Sequence, residues 1–339
     1  LSFKEAFNRK NVIQLFSLDV FTKRDMRRLC NDSYLKMSEP ELHQTLKLRD
    51  MSGCLHISHV RPDKFWVSDN RTNLVLFNGK GQNKLHHKDE MNKVANNLTG
   101  AHTVTKNNDL IYIDTYNKIK RFSENELNTI CLEKVGKVWT YRCVYSSLSS
   151  GKLLVGMKNK NSACSKITRY RLEENTIETR GGTRELMHTI QYDSKGNDLY
   201  FEPYYITEND NRDVVVSDWK NGVVVTTIGG RHRFTFKKDP YGSVINPKGI
   251  CTDSMSHILV CVLHKVMMLD KDGVFLSYIL SMQPEIMIAT NSLSFDFKTH
   301  CLWVGSVSDR RVRAYRYLKR QDALLGMYAS LSLLQILLS

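Results

Sequence analysis

The sequence predicts an all-β fold, a six-bladed β-propeller, from two features of its repeats. Six apolar strand-like runs recur at intervals of 42 to 61 residues, and four of the five intervals are 42 to 46 residues. Each run lies between two other short strands across polar turns, so the unit is an antiparallel meander of three to four strands. Such repeats are typical of propeller blades, whereas a β-sandwich lacks a sixfold recurrence. The runs are centred on Val67, Ile113, Val155, Val216, Val260 and Val304.

The fourth unit shows the hairpin in the segment VVVSDWKNGVVVT, Val214 to Thr226. Valine and threonine favour extended strands, and Asn221-Gly222 is expected to supply the positive φ angles of a tight turn. The long interval before this unit contains Thr176 to Tyr200. We interpret that stretch as an outer strand with an inserted surface loop, because loops absorb insertions at modest entropic cost.

A propeller ring needs to be closed, because its terminal sheets would otherwise expose unpaired edges. The strand-like run Gln44 to Asp50 has no partner in its own blade. We therefore expect it to pair with the last blade, beside Arg311 to Leu318.

The chain is predicted to divide into three parts. Residues 1–43 have helix-like apolar spacing and form a helical leader or linker, residues 44–318 form the propeller, and residues 319–339 form an apolar helical tail. A membrane anchor is the alternative for the tail, but the apolar stretch is short for a span, so a helix packed on the propeller or a chain-end irregularity is preferred. The N-terminal residues carry charges where a secretion signal needs an apolar region, so no signal is predicted.

The composition and net charge of the chain limit the classes of partner and domain that are expected. The chain has 339 residues, 41% of them hydrophobic, and a net charge of +14 with a pI near 9.3. This charge suits RNA, acidic protein surfaces or anionic membranes, or serves solubility alone. The eight cysteines contain no C-x-x-C pair, which argues against a RING, a B-box or a zinc ribbon. Several lie in apolar strands, which favours buried, reduced thiols and a cytoplasmic location.

The segment NPKGICTDSMSHILVCVLHKVMMLDKDGVFLSYIL, Asn246 to Leu280, resembles an NHL repeat. With PYYITENDNRDVVVSDWKNGVVVTTIGGRHRFTF and THCLWVGS, residues 45–318 look like the C-terminal propeller of molluscan tripartite-motif (TRIM-NHL-like) proteins. The resemblance implies an NHL- or TolB-like propeller that selects protein substrates for ubiquitination, or RNA. Members of that family carry RING, B-box and coiled-coil segments upstream. Because this chain lacks them, it is expected not to be an enzyme. Val262 departs from the pattern by replacing a turn-capping carboxylate.

The candidate site is the propeller face where the turns between second and third strands meet the starts of the inner strands. The inner strands contribute the first set of predicted partner-binding residues: His102, Arg142, Tyr204 and Lys248. The turns contribute the second set: Arg71, Lys118, Trp219, Lys220, Arg310 and Arg311. Arginine offers bidentate contacts and the aromatic rings offer stacking surfaces, so these residues fit an anionic ligand. The alternative is a set of solvated charges with no common ligand.

Other polar residues have structural interpretations. Asp69 and Asp218 are expected to cap turns rather than hold a metal. Trp66 and Trp303 are expected to pack inside blades, while Trp219 is expected on an exposed turn as a binding hot spot. The cluster GGRHRFTFKK belongs to an outer strand, on which Arg231 and Arg233 would share one face. No ligand is assigned to it, and no metal to His86-His87.

The sequence therefore favours a recognition module with no catalytic residue, metal or cofactor, whose first choice of partner is a protein. RNA binding through a basic face is the alternative. The third hypothesis is a metal-dependent propeller hydrolase, for which Asp, Glu and Asn would have to converge in the channel. A membrane partner is not expected.

Overall fold

The computed structural model describes residues 34–61, 64–87, 101–123, 126–132, 136–171, 185–281 and 290–320. Within these ranges, twenty-four strands form six four-stranded antiparallel sheets, each a blade. The predicted all-β, six-bladed propeller is confirmed. The described chain separates into two compact units: residues 39–317 make up the propeller unit, and the strand residues 34–38 and 318–320 belong to the other.

The blades follow one another along the chain, with their strands running from the inside of the ring outward. Blade 1 contains β2 (His56–Arg61), β3 (Lys64–Ser68), β4 (Leu74–Asn78) and β5 (Asn83–His87). Blade 2 contains β6 (His102–Val104), β7 (Leu110–Ile113), β8 (Ile119–Ser123) and β9 (Glu126–Leu132). Blade 3 contains β10 (Trp139–Ser146), β11 (Lys152–Asn159), β12 (Ser165–Arg171) and β13 (Leu186–Ile190). The last strand confirms the outer strand predicted in the long interval.

The remaining blades complete the ring. Blade 4 contains β14 (Pro203–Glu208), β15 (Val214–Asp218), β16 (Gly222–Thr226) and β17 (His232–Phe236). Blade 5 contains β18 (Pro247–Thr252), β19 (Ile258–Val262), β20 (Lys265–Leu269) and β21 (Phe275–Leu280). Blade 6 contains β22 (Thr290–Asp296), β23 (Cys301–Ser306), β24 (Arg311–Arg320) and, as its outer strand, β1 (Tyr34–Lys47).

The ring closes by the predicted pairing of the two chain ends. Within the propeller unit, residues 39–47 of β1 lie beside residues 311–317 of β24. Just beyond β1, the Leu48 amide donates a hydrogen bond to the Arg310 carbonyl at 2.8 Å. This arrangement gives blade 6 its fourth strand and pairs the outer edge of β24, which would otherwise be exposed.

The predicted helical leader is wrong for residues 34–43, which are strand. The physical reason is that the free edge of β24 offers a ladder of backbone partners, and this tertiary pairing overrides a weak helical spacing. Pro40 is tolerated because β1 is an outer strand, where a missing amide hydrogen costs little. The rest of the leader and the predicted apolar tail lie outside the described residues, so the three-part division stays a prediction.

The core lies between the blades. The second strand of each sheet has an apolar run because it packs on both faces, and β15, for example, is buried at every position. One cluster joins Phe65 and Val67 of blade 1 to Trp303 and Val312 of blade 6. Similar clusters join the successive pairs from blade 1 to blade 5. Trp303 and Trp66 are about 4% and 3% exposed, which confirms their packing role.

The Val214–Thr226 hairpin exists, but its turn differs from the prediction. Asp218 pairs with Gly222, so Trp219, Lys220 and Asn221 form a three-residue loop. Gly222 alone has a positive φ, 83°, and Asn221 does not. A Cβ at Gly222 would lie 2.2 Å from the Phe236 carbonyl oxygen, so only glycine fits there.

Candidate functional site

The candidate site lies on what we call the upper face, formed by the second-to-third strand turns and the starts of the inner strands. Antiparallel pairing places these two sets together, as where Pro203 at the start of β14 pairs with Asp218 at the end of β15. Neighbouring blades are also joined here. Asn117, in the blade 2 turn, donates to the Tyr141 carbonyl at 3.3 Å and accepts from the Tyr141 amide at 3.1 Å.

The aspartates of this face cap their own turns, as predicted. Asp69 accepts amide hydrogens from Arg71 and Asn73, at 2.9 and 3.0 Å. Asp218 accepts amide hydrogens from Lys220 and Asn221, at 3.2 and 2.9 Å. Because these buried carboxylates face backbone amides, the lysines and arginines of the same turns supply the charge that faces solvent.

Asp218 also anchors the chain that enters blade 4. One of its oxygens accepts the amides of Phe201 and Glu202 at 2.8 and 2.7 Å. Burial raises the pKa of Asp218, while the amides of Asn221, Glu202, Phe201 and Lys220 oppose that rise. The carboxylate thus fixes the Trp219 loop and the Phe201-Glu202 segment against each other.

A set of side chains, which we call the aromatic–basic cluster, converges at blades 3 and 4. Its members are Arg142, Lys158, Phe201, Glu202, Tyr204, Trp219 and Lys220. The rings of Trp219 and Tyr204 stack, with centroids 5.4 Å apart and an interplanar angle of 22°. The Arg142 guanidinium carbon lies 6.0 Å from the Tyr204 ring centroid. Four of the ten predicted partner-binding residues are therefore brought together.

Glu202 holds the two inner cations of the cluster. It forms ion pairs with Arg142 at 2.7 Å and with Lys158 at 3.0 Å. The side chains of Arg142 and Glu202 are only about 8% and 13% exposed, so this pair is a rigid base rather than a mobile surface contact. Burial, followed by the charge of Glu202, raises the pKa of Tyr204 to about 12, so its hydroxyl stays protonated.

Lys220 is the cluster cation that stays available. Its ammonium lies 3.9 Å from the Phe201 ring centroid, and Lys158 lies 5.0 Å from the same ring. Among the described residues, Lys220 has no carboxylate within ion-pair distance, and its side chain is exposed. Trp219 is half-buried rather than exposed as predicted, because its ring stacks on Tyr204.

The other six predicted residues lie apart from the cluster. His102 is fully buried, with Nδ1 2.9 Å from the Ser58 hydroxyl and Nε2 3.2 Å from the Ser68 hydroxyl. The prediction that it reaches a partner is therefore not supported by its position. Lys248 is half-buried, and its backbone carbonyl accepts the Ser217 hydroxyl. Of the remaining four, Arg71, Lys118 and Arg310 lie on the turns of blades 1, 2 and 6, and Arg311 is the first residue of β24 in blade 6.

The channel contains a polar cluster that the sequence analysis missed. The Tyr205 hydroxyl of blade 4 donates to the Leu55 carbonyl at 2.7 Å. The Asn291 side-chain amide donates to the same carbonyl at 2.7 Å and to the Tyr205 hydroxyl at 3.0 Å. The His56 ring lies 4.2 Å from that of His102, by centroids. Burial lowers the pKa of His102 to about 3 and that of His56 well below its ordinary value, so both imidazoles are neutral. The sequence signal for this cluster was the alternation of polar and apolar residues in LHISH, Leu55 to His59.

The predicted basic stripe is wrong. The register of β16 with β17 shifts between Val225 and Thr226, so Arg233 is an extra residue in a bulge. A bulge reverses the alternation of side chains along a strand. Arg233 consequently pairs with Asp213 of blade 4 and Asp272 of blade 5, whereas Arg231 lines a cavity beside Tyr192. The side chains of His86 and His87 lie outside the description.

Among the described residues, no group of three or more His, Cys, Asp or Glu side chains is placed to hold a metal ion. Cys54, Cys143, Cys251 and Cys261 are buried free thiols, and burial raises the pKa of each. No helix in the described ranges is both long and apolar enough to span a membrane.

Solved structures of the same fold resemble the chain at low identity. A putative gluconolactonase has a TM-score of 0.58 at 14% identity, over 83% of this chain and 97% of its own. A gluconolactonase from Xanthomonas campestris gives 0.56 at 11% identity, over 84% and 96%. A virginiamycin B lyase from Staphylococcus aureus, solved with quinupristin, gives 0.54 at 14% identity, over 82% and 99%. No protein-family model matches the sequence, and no curated protein matches it.

These comparisons correct the expectation about enzyme activity, and they support the propeller fold but not the NHL family. The expectation that the chain is not an enzyme is wrong as an inference from its fold, because solved structures of the same fold are enzymes and the fold therefore does not exclude catalysis. At such identities the likeness shows the fold alone, so no substrate or reaction carries over. The six-bladed propeller is shown, but nothing in the comparisons supports NHL repeats specifically.

Proposed function

We propose that the propeller recognises a protein partner, and that the aromatic–basic cluster on blades 3 and 4 is the contact surface. The partner segment would carry an acidic side chain next to an apolar or aromatic one. The propeller fold fits a protein-binding module, because its blades hold loops from distant parts of the chain on one rigid face.

The observation that carries the proposal is the Trp219–Tyr204 stack with Lys220 at its edge. Tryptophan, tyrosine and arginine dominate the binding energy of protein interfaces, and they do so best when held rigid before binding. Asp218 and the Arg142–Glu202 pair hold this platform in place. Lys220 adds a cation that no described carboxylate neutralises.

The cluster favours a protein over RNA. An RNA-binding groove needs several available cations that neutralise consecutive phosphates. Here Glu202 already neutralises part of the charge of Arg142 and Lys158, and its carboxylate would repel a phosphate backbone. A single available ammonium beside an aromatic platform instead suits one carboxylate in a peptide.

The sequence resemblance to NHL propellers supports the finer part of the proposal. In TRIM-NHL-like ubiquitin ligases the propeller recruits the substrate, and we propose that role and a cytoplasmic location for this chain. The buried, reduced cysteines are consistent with a reducing compartment.

The test compares Trp219→Ala/Lys220→Glu with the native chain against peptides selected from a random display library. We expect the selected peptides to be acidic and aromatic, and the double variant to bind them at least about tenfold more weakly, as for loss of one hot-spot residue. The matched control is Phe297→Ala/Lys298→Glu, an equivalent aromatic–lysine pair on an exposed first-to-second strand turn of blade 6. It should bind like the native chain.

Fluorescence anisotropy with labelled peptides gives the dissociation constants, and thermal unfolding checks that both variants are folded. Equal weakening in both variants would move the contact off this surface. If no peptide is enriched while single-stranded RNA binds with a steep salt dependence, the RNA alternative replaces the proposal.

A further inference from the structure

A second feature lies outside the upper-face cluster: a cavity of about 540 Å³ between two turns. One turn, Asp193 to Asn197, follows β13, and the other, Thr227 to Arg231, precedes β17. Cavities that hold small molecules measure roughly 300–1,000 Å³, so this one is large enough for a small ligand.

Both turns are fixed by their own hydrogen bonds. The Asp193 carboxylate accepts the amides of Lys195 and Asn197, at 2.8 and 2.9 Å, and the Asn197 side chain at 2.9 Å. In the second turn Gly230 has a φ of 82°, and a Cβ there would lie 2.6 Å from the His188 ring. Since glycine is required at that contact, the turn is held closely against β13 and Arg231 is placed at the cavity.

The chemistry of the second turn removes negative charge from the cavity. The equivalent turn of blade 5 is capped by Asp270, which accepts the amides of Asp272 and Val274. In blade 4 the capping group is the Thr227 hydroxyl, which accepts the Arg231 amide at 3.1 Å. A neutral hydroxyl therefore stands where the neighbouring blade has a carboxylate.

The cavity has cations without partners. Among the described residues, neither the Arg231 guanidinium nor the Lys195 ammonium has a carboxylate within ion-pair distance, and both side chains are exposed. Arg233, two residues away, is by contrast paired with Asp213 and Asp272. Asp193 is the acidic residue of the lining, and its oxygens are occupied by turn amides.

Further donors complete the site. In the described part of the chain, the Ser194 hydroxyl and the Gly229 amide make no hydrogen bond, and both residues line the cavity. Guanidinium, ammonium, hydroxyl and amide donors are the groups that bind phosphate oxygens in proteins. Tyr192, about 54% exposed, adds an aromatic surface for the rest of a ligand.

We propose that this cavity binds the phosphate monoester of a small molecule, with Arg231 and Lys195 on the phosphate oxygens. The site is separate from the aromatic–basic cluster, so it does not depend on the proposed protein binding. Free phosphate and a phosphorylated metabolite share the recognised chemistry, and the experiment separates them.

The experiment is isothermal titration calorimetry of the full chain with three probes: a sugar phosphate, the unphosphorylated sugar and inorganic phosphate. The test variant is Lys195→Gln/Arg231→Gln. The charge-matched control is Lys237→Gln/Lys238→Gln, on exposed positions outside the cavity lining. Thermal unfolding establishes that each variant is folded.

We expect the sugar phosphate to bind and the sugar not to bind. The test variant should bind the sugar phosphate about tenfold or more weakly, the effect of losing charge-assisted hydrogen bonds, while the control changes less than about twofold. Equal affinity for inorganic phosphate would support the phosphate contacts and assign free phosphate as the ligand. Absence of binding at millimolar concentration, or equal weakening in both double variants, would overturn the proposal.

Discussion

Single side chains tie distant blades together at the centre of this propeller. Tyr205 of blade 4 and Asn291 of blade 6 both reach the carbonyl of Leu55, which precedes blade 1. Tyr205 is about 3% exposed, and burial raises the pKa of its hydroxyl well above the ordinary value. The neutral hydroxyl therefore acts as a permanent donor in the channel, and its removal leaves the partly buried Leu55 carbonyl with one partner fewer.

We expect Tyr205→Phe to lower the free energy of unfolding by about 1 kcal/mol, the usual cost of one partly buried hydrogen bond whose acceptor stays behind. Urea unfolding should show a lower midpoint with an unchanged slope. Tyr241→Phe is the control, because Tyr241 is about 80% exposed and its hydroxyl makes no hydrogen bond among the described residues. If both variants match the native chain, the channel hydrogen bonds contribute nothing to stability.

At the level of strands and turns, the blades repeat one device in their connections. Asn108, Arg212 and Ser256 occupy the same position in the first-to-second strand turns of blades 2, 4 and 5, each with φ between 62° and 67°. The second-to-third strand turn of blade 5 is a different kind of turn. It is a two-residue turn, in which Leu263 and His264 join Val262 to Lys265. Leu263 takes a φ of 54° although it is about 66% exposed, so it bears backbone strain without burying its side chain.

Leu263→Asn should therefore stabilise the protein by about 1 kcal/mol, because asparagine adopts the left-handed conformation at lower cost than leucine. The melting temperature should rise by a few degrees at most, as expected for a chain of this size. Leu148→Asn is the matched control, an exposed leucine outside the positive φ region. A gain in both variants would assign the effect to removal of surface apolar area.

The strands of the propeller could be predicted from the sequence, whereas parts of the candidate site could not. The number of blades follows from the recurrence of buried strands such as β15 and β19. The place of Trp219 and Lys220 on the upper face follows from their position in a second-to-third strand turn. Phe201 and Glu202 were missed because they come from the link between blades 3 and 4, whose path no local pattern records. The separation of Arg231 from Arg233 was missed because a bulge is set by the register of pairing.

For the whole molecule, the closed ring buries ionisable groups that the sequence places on inner strands. His56, His59 and His102 lie on inner strands, and burial lowers the pKa of all three, that of His59 to about 4 and that of His102 to about 3. Burial also raises the pKa of Asp218 and Glu208. Their contribution to the pH dependence of stability has the opposite sign, because the folded state disfavours their ionised form. The folded protein therefore resists protonation of His56, His59 and His102.

Stability should consequently fall as the pH drops from about 6.5 towards 4, since the unfolded histidines bind protons at their ordinary pKa of 6.5 and the folded ones do not. The full contribution of the histidines is present above that ordinary pKa and is lost progressively on acidification. Urea midpoints measured across this range should rise with pH in the native chain. His102→Gln should show a shallower rise, whereas His43→Gln, which alters an exposed histidine on β1, should keep the native slope. An unchanged slope in His102→Gln would mean that His102 is protonated equally in the folded and unfolded chains.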